Sequence, residues 1–259
     1  MDNENRAFGL RALVVGASSG IGREVATQLA AEGANVVACA RRRERMASLP
    51  GVSALACDVQ DPDQCRAVVT DAAGILGGLD ALVYVAGITR LTPLQQANME
   101  DWLQIFTTNV FGAAMVAKAA LSHLTSGTSR GRALFATSDA SDLAMPGLVA
   151  YAASKSALGR FCQGLAAEFP SLKVSEIVVG PTAGTEVIDA IQPDAFAPWV
   201  TRWFAEGFIR HAILQPPEVA RIIIETVLSE SPPSRVLAAG RDGETATSFE
   251  EARRPAGGL

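Results

Sequence analysis

Hydrophobic positions along the chain follow two alternating patterns. Short runs at 12–15, 35–40, 52–56, 81–85, 133–137 and 174–179 consist mainly of small and β-branched residues and are apolar almost throughout, as expected of strands buried on both faces. Helix-length patterns lie between them, at 21–32, 64–76, 99–124, 150–168 and 217–228, where apolar residues recur at helical spacing. Strands alternating with helices imply parallel βαβ crossovers. The predicted fold is therefore α/β, a doubly wound parallel sheet of Rossmann type with helices on both faces. No linker or solenoid-length repeat interrupts the pattern, so one domain is expected over 1–259. The stretch 241–259 has little periodicity and is expected to form a loose surface tail; docking on a neighbouring subunit is the alternative.

Composition supports a large core and narrows the partners. The chain has 259 residues, 49% of them hydrophobic, and a net charge of -5. An overall negative field repels phosphate, which argues against nucleic acid and anionic membrane as partners. The one dense basic run, Arg41, Arg42, Arg43 and Arg45, is too short for a nucleic-acid footprint. The N-terminus, MDNENRAF, lacks the order of a secretory signal, and no uninterrupted apolar run reaches the roughly 18 residues of a membrane span. A cytoplasmic location is expected. Cys39, Cys57, Cys65 and Cys162 show no CxxC spacing and read as reduced, mostly buried thiols. His123 and His211 are widely separated, so no metal site is expected.

The first strand runs into a glycine-rich turn and then a helix: LVVGASSGIGREVATQL. Gly16, Gly20 and Gly22, with Ser18, Ser19 and Ile21 among them, give a tight turn, a backbone that can approach pyrophosphate, and a helix start whose free N–H groups face an anion. This position after the first strand points to a dinucleotide. In such folds a carboxylate at the end of the second strand favours a free ribose 2′-hydroxyl. Here NVVACA is followed by RRRER. Arg41, supported by Arg42, can offer a planar fork to a 2′-phosphate, so NADP(H) is preferred as cofactor and NAD(H) remains possible.

YAASK, residues 151–155, places Tyr151 and Lys155 on one helical face. With GASSGIG at 16–22, CDV at 57–59, AG at 86–87, Asn109 in TTNVFG and Ser138 in FATSDAS, it completes an ordered series. On these motifs the chain resembles the short-chain dehydrogenase/reductase family over nearly its whole length. The resemblance implies that Asn109, Ser138, Tyr151 and Lys155 form the catalytic group. It further implies that Asp58 and Val59 contact the adenine and that Ala86 and Gly87 line the cofactor cleft. Three departures accompany it. Val15 stands where that family commonly has threonine, Tyr84 and Val85 stand where it has two asparagines, and its Pro-Gly after the sixth strand is inverted to Gly180-Pro181. Thr182 and Thr185 follow, and by the same resemblance hold the nicotinamide amide.

Free tyrosine, with a pKa of roughly 10, is a poor acid or base near neutrality. An adjacent ammonium and a positive nicotinamide ring are expected to lower that value. The resemblance also implies that Lys155 binds the nicotinamide ribose and that Asn109 holds a water leading to solvent. Ser138 would donate to the substrate oxygen while Tyr151 supplies the proton. Asp139 is either a polar contact for substrate or a cap on the following turn. The reaction implied is carbonyl reduction or its reverse on a small molecule. An NAD-dependent alcohol dehydrogenase is the alternative within enzymes, and a non-catalytic cofactor-sensing regulator the alternative outside them.

By the same resemblance, the segment 184–214 is expected to cover the substrate. It carries Phe196, Trp199, Trp203, Phe204 and Phe208, with Pro198 suited to a helix start and Gly207 to an end. These aromatics either form an apolar lid, implying an apolar or ring-bearing substrate, or pack on the core or a subunit interface. Leu91, Leu143 and Met145 are candidates for further lining. Small and apolar residues on more than one face of 99–124 and 150–169 fit a homodimer or homotetramer.

Overall fold

The computed structural model describes residues 6–126, 131–185, 193–209 and 212–240; the expected tail at 241–259 lies outside them. Seven parallel strands form one sheet: β1 (Arg11–Val15), β2 (Asn35–Ala40), β3 (Val52–Ala56), β4 (Ala81–Tyr84), β5 (Arg132–Ser138), β6 (Lys173–Val179) and β7 (Arg235–Ala238). Their order is β3-β2-β1-β4-β5-β6-β7. The chain turns back at β1, which pairs with β2 on one side and β4 on the other, and a ligand cleft opens at such a reversal.

Side chains alternate across each strand and separate the core into two layers. Leu13, Val15, Val37, Cys39, Leu82, Tyr84 and Phe135 face one side. There they pack against α2 (Pro62–Leu76), α4 (Gly112–Thr125) and α5 (Val149–Glu168). Ala12, Val14, Val36, Ala38, Val83, Leu134 and Ile177 face the other, against α1 (Gly20–Ala31) and α7 (Pro216–Leu228). All four cysteines are free and buried. α2 starts at an Asp61 cap that accepts the N–H groups of Asp63 and Gln64, followed by Pro62 in the first turn.

Several expected elements differ in detail. The run 99–124 is divided into α3 (Met99–Phe106), a π-helical turn (Thr107–Phe111) and α4. By length and composition Met99–Thr125 could cross a membrane, with an 18-residue window of mean hydropathy 1.3, although no uninterrupted apolar run of that length exists. Here its apolar residues Ala113, Val116, Ala117, Ala120 and Leu124 are buried in the core. Strand β7 was not expected from the sequence; its short segment RVLA lies at the sheet edge and is mostly accessible, so it carries no continuous buried pattern. Pro198 lies inside α6 (Pro193–Ala205) rather than at its start. Gly207, with φ +71°, follows that helix as expected.

Candidate active site

A cleft of about 630 Å³ opens where the strand order reverses. It is lined by the glycine loop, Arg41, Arg42, Asp58, Val59, Ala86 and Gly87. Two of the loop's glycines are required by packing. A Cβ on Gly16 would lie 2.5 Å from the Ala86 nitrogen, and one on Gly22 would lie 2.4 Å from the Gly16 carbonyl. Gly16 and Gly20 also hold φ values of +94° and +53°, accessible to glycine at little cost. α1 begins at Gly20 beside the cleft and carries no acidic residue in its first turn. α2, α3 and α7 each carry at least one. The positive end of α1 therefore remains available to an anion. The Arg42 guanidinium donates to Ser18 Oγ at 3.1 Å, which ties the basic run to the glycine loop. It is thus Arg42 rather than Arg41 that contacts the loop, while Arg41 is exposed on the cleft wall. These features fit an anionic dinucleotide.

A second cavity, about 170 Å³, adjoins the first through shared walls at Ile21, Val85, Gly87, Thr89 and Thr185. Ser138 lies at the C-terminal end of β5, while Tyr151 and Lys155 project from the start of α5; all three reach this cavity. Lys155 Nζ donates to the Ala136 carbonyl at 2.8 Å and sits 5.7 Å from the centre of the Tyr151 ring. Gly87 allows the close approach of the two elements that carry Lys155 and Asn109. A Cβ there would lie 3.2 Å from Lys155 Nζ and 3.4 Å from Asn109 Oδ1.

Asn109 is fully buried in the π-helical turn. Its Oδ1 accepts the Ile88 N–H at 2.8 Å, and its Nδ2 donates to the Ile88 carbonyl at 3.0 Å and to Ser154 Oγ at 3.0 Å. The side chain thus fixes the backbone beyond Gly87 and joins it to α5. Ser154, one position before Lys155, was missed in the sequence, although its spacing of three from Tyr151 puts it on the same helical face. Ile88 and Thr89, which also line the cleft, carry no local motif that could have marked them.

Burial works against the proton chemistry expected for Tyr151. Its pKa is pushed up to about 12, first by desolvation; a hydrogen bond with Ser138 pulls it down, and the nearby Asp139 charge raises it. Burial and the Asp139 charge thus oppose the expected lowering, while the Ser138 bond assists it. Burial brings Lys155 down to about 8. Its ammonium donates to the Ala136 carbonyl, yet desolvation, the larger effect, outweighs the upward pull of nearby Cys162.

Gly180, Pro181, Thr182 and Thr185 all line the second cavity, and Thr182 Oγ1 donates to the Gly180 carbonyl at 2.9 Å. Phe196 and Trp203 form its outer wall with Met145, Leu148 and Ile209. Trp203 is anchored by its indole N–H on the Pro146 carbonyl at 3.0 Å, and its ring meets Phe196 edge-on at 5.9 Å. Trp199, Phe204 and Phe208 instead pack behind this wall, so the aromatic segment serves both purposes. Met145 lines the cavity as expected; Leu91 and Leu143 pack in the supporting cluster. Among the described residues no group of three or more His, Cys, Asp or Glu could hold a metal.

The family model described as short chain dehydrogenase matches residues 11–195. A short chain dehydrogenase of Pseudocercospora fijiensis is 34% identical over 183 residues, 67% of this chain and 59% of that protein's length. Gluconate 5-dehydrogenase of Gluconobacter oxydans is 33% identical over 208 residues, covering 75% of this chain and 79% of its own. The crystal structure of a short chain dehydrogenase from Burkholderia cenocepacia in complex with NADP superimposes with a TM-score of 0.75 at 30% identity, over 90% of this chain and 97% of that one.

Proposed function

Because the chain belongs to the short-chain dehydrogenase family of oxidoreductases, we propose that it transfers hydride between NADP(H) and a carbonyl or secondary alcohol. The substrate proposed is an apolar or ring-bearing ketone. The observation that carries this reading is the convergence of Ser138, Tyr151 and Lys155 on an apolar cavity that shares walls with the glycine-loop cleft.

In this reading the glycine loop and the start of α1 hold the pyrophosphate, Asp58 and Val59 the adenine, and Arg41 with Arg42 a 2′-phosphate. Lys155 holds the nicotinamide ribose, and Gly180, Pro181, Thr182 and Thr185 the carboxamide. The bound cofactor supplies the hydride. Tyr151 donates the proton to the carbonyl oxygen, Ser138 fixes that oxygen by a hydrogen bond, and the Lys155 ammonium stabilises the phenolate left behind. Asn109 keeps the Ile88 backbone and α5 in register for these contacts. The Gluconobacter relative is named for gluconate; the Phe196 and Trp203 wall favours a less polar substrate here.

Parallel fluorescence titrations with NADPH and NADH test the cofactor. NADPH is expected to bind more tightly, and an Arg41→Asp, Arg42→Asp double variant to lose about ten- to a hundredfold of NADPH affinity with little change for NADH. Equal losses for both would remove the arginines from 2′-phosphate recognition. In the same assay Tyr151→Phe should still bind NADPH while ketone reduction falls by about 10²–10⁴; a variant near wild-type rate would exclude Tyr151 as the acid.

A further inference from the structure

Ser138 has one proton to give; in this structure it lies on Asp139, and turned instead to Tyr151 it would favour the phenolate. A hydroxyl has a single donor and two acceptor lone pairs. Ser138 Oγ donates to Asp139 Oδ1 at 3.1 Å and accepts the Ala140 N–H at 3.2 Å. To hold a substrate carbonyl, Ser138 must withdraw its proton from a carboxylate, and hydrogen bonds to ionised acceptors are about twice as strong as neutral ones. A plain ketone offers a weaker acceptor than the one it must displace.

Asp139 is also part of the cavity wall. It lines the same space as Tyr151, Lys155, Phe196 and Trp203, along with the apolar Met145, Leu148 and Ile209, and it is half-buried. A ligand that brings its own hydrogen-bond donor can take the place of the Ser138 proton on Asp139. That proton is then free to turn to the carbonyl oxygen. The donor must sit close to the carbonyl because Asp139 follows Ser138 directly and their oxygens are one hydrogen-bond length apart, about the separation of two oxygens on adjacent carbons.

We propose that Asp139 is a specificity-determining residue that selects ketones carrying a hydrogen-bond donor, a hydroxyl or an ammonium, on the carbon next to the carbonyl. The proposal rests on the ketone-reductase reading above for the position of the carbonyl, but ligand binding tests it separately from turnover. The aromatic wall accommodates a ring on the far side of the carbonyl.

The test is calorimetric titration of the protein, with and without NADP⁺, by four aryl ketones: 1-phenylpropan-1-one and its 2-hydroxy, 2-amino and 2-methoxy derivatives. The oxidised cofactor cannot reduce a ketone, but it could oxidise the secondary alcohol of the 2-hydroxy compound, so NADPH absorbance is followed alongside and the affinity of that compound is taken from the titration without cofactor if any NADPH forms. At least one of the hydroxy and amino compounds should bind about ten- to a hundredfold more tightly than the parent. The methoxy compound, polar but without a donor, should behave as the parent. Asp139→Ala should abolish the difference, and the nearly isosteric Asp139→Asn, which retains one acceptor oxygen, should reduce it. Asp139→Asn carries the comparison if the alanine variant fails to fold. Equal affinities, no binding of any of the four, or a preference undiminished in the variants would overturn the proposal. Failure of NADP⁺ to bind would count against the dehydrogenase reading, and the titrations without cofactor would still decide the role of Asp139.

Discussion

Lys155 shows why a residue's chemistry depends on the surface it is pressed against. Its spacing from Tyr151 follows from the helix, but its buried ammonium is brought down to about 8 by desolvation, whereas Tyr151 keeps its proton up to about 12. In the proposed reduction Tyr151 is therefore protonated across the neutral range, and Lys155 sets the pH limit. Raising the pH through about 8 removes the lysine's positive charge and with it the stabilisation of the phenolate formed on proton donation. Initial rates of ketone reduction at saturating NADPH should be level at neutral pH and fall above about 8. Lys155→Arg, whose charge persists to higher pH, should move that fall upward in any variant that retains activity. A wild-type profile flat through about pH 10 would show that the lysine charge is not needed. The pair was legible in YAASK; the direction of its pKa shifts was not, because periodicity does not report desolvation.

At the scale of the element, the helix from Met99 to Thr125 is functional where it is irregular. Its π-helical turn presents Asn109 to both polar groups of Ile88, a use to which π-bulges are often put. Tyr84, at the end of β4, supports this turn: fully buried, it donates its hydroxyl to the Thr108 carbonyl at 2.6 Å. Where the family commonly has threonine and two asparagines, this chain carries Val15, Tyr84 and Val85. Val15 and Val85 pack into the two core layers, and the strands are braced at this point by the backbone bond from Val85 N–H to the Val15 carbonyl at 2.9 Å. Tyr84→Phe should cost about 1–3 kcal/mol by removing a buried hydrogen bond. Urea unfolding should show a lower midpoint at unchanged slope, and an unchanged midpoint would mean that the turn holds without the phenol. The sequence marked Tyr84 as unusual, but its partner lies 24 positions away on another element.

At the scale of the whole molecule, the site depends on how closely α5 is seated on the sheet. Gly159, one turn beyond Lys155, faces Glu176, a buried carboxylate on β6. Thr137 donates to Glu176 Oε1 at 2.8 Å and Arg235 Nε to Oε2 at 3.2 Å, while the Arg235 guanidinium also pairs with Asp142. Strand β7, the strand next to Ser138 and the turn after it are thereby linked under the catalytic helix. A Cβ on Gly159 would lie 2.8 Å from Glu176 Oε1, and the carboxylate is held too firmly to swing aside. Gly159→Ala should therefore lift α5, costing about 1–3 kcal/mol and lowering turnover more than NADPH affinity; thermal unfolding and steady-state kinetics would check both, and a fully active, equally stable variant would show that the interface yields freely. By itself the sequence determined the alternation of strands and helices, the glycine loop and the spacing of Tyr151 and Lys155, because these follow from local periodicity and neighbouring residues. Only the tertiary structure decided the seventh strand, the π-helical turn, the sharing of Ser138's proton with Asp139, and which aromatics face the cavity. Those features depend on contacts between distant segments and on how much water each group loses, and neither quantity is encoded at any single stretch of the chain.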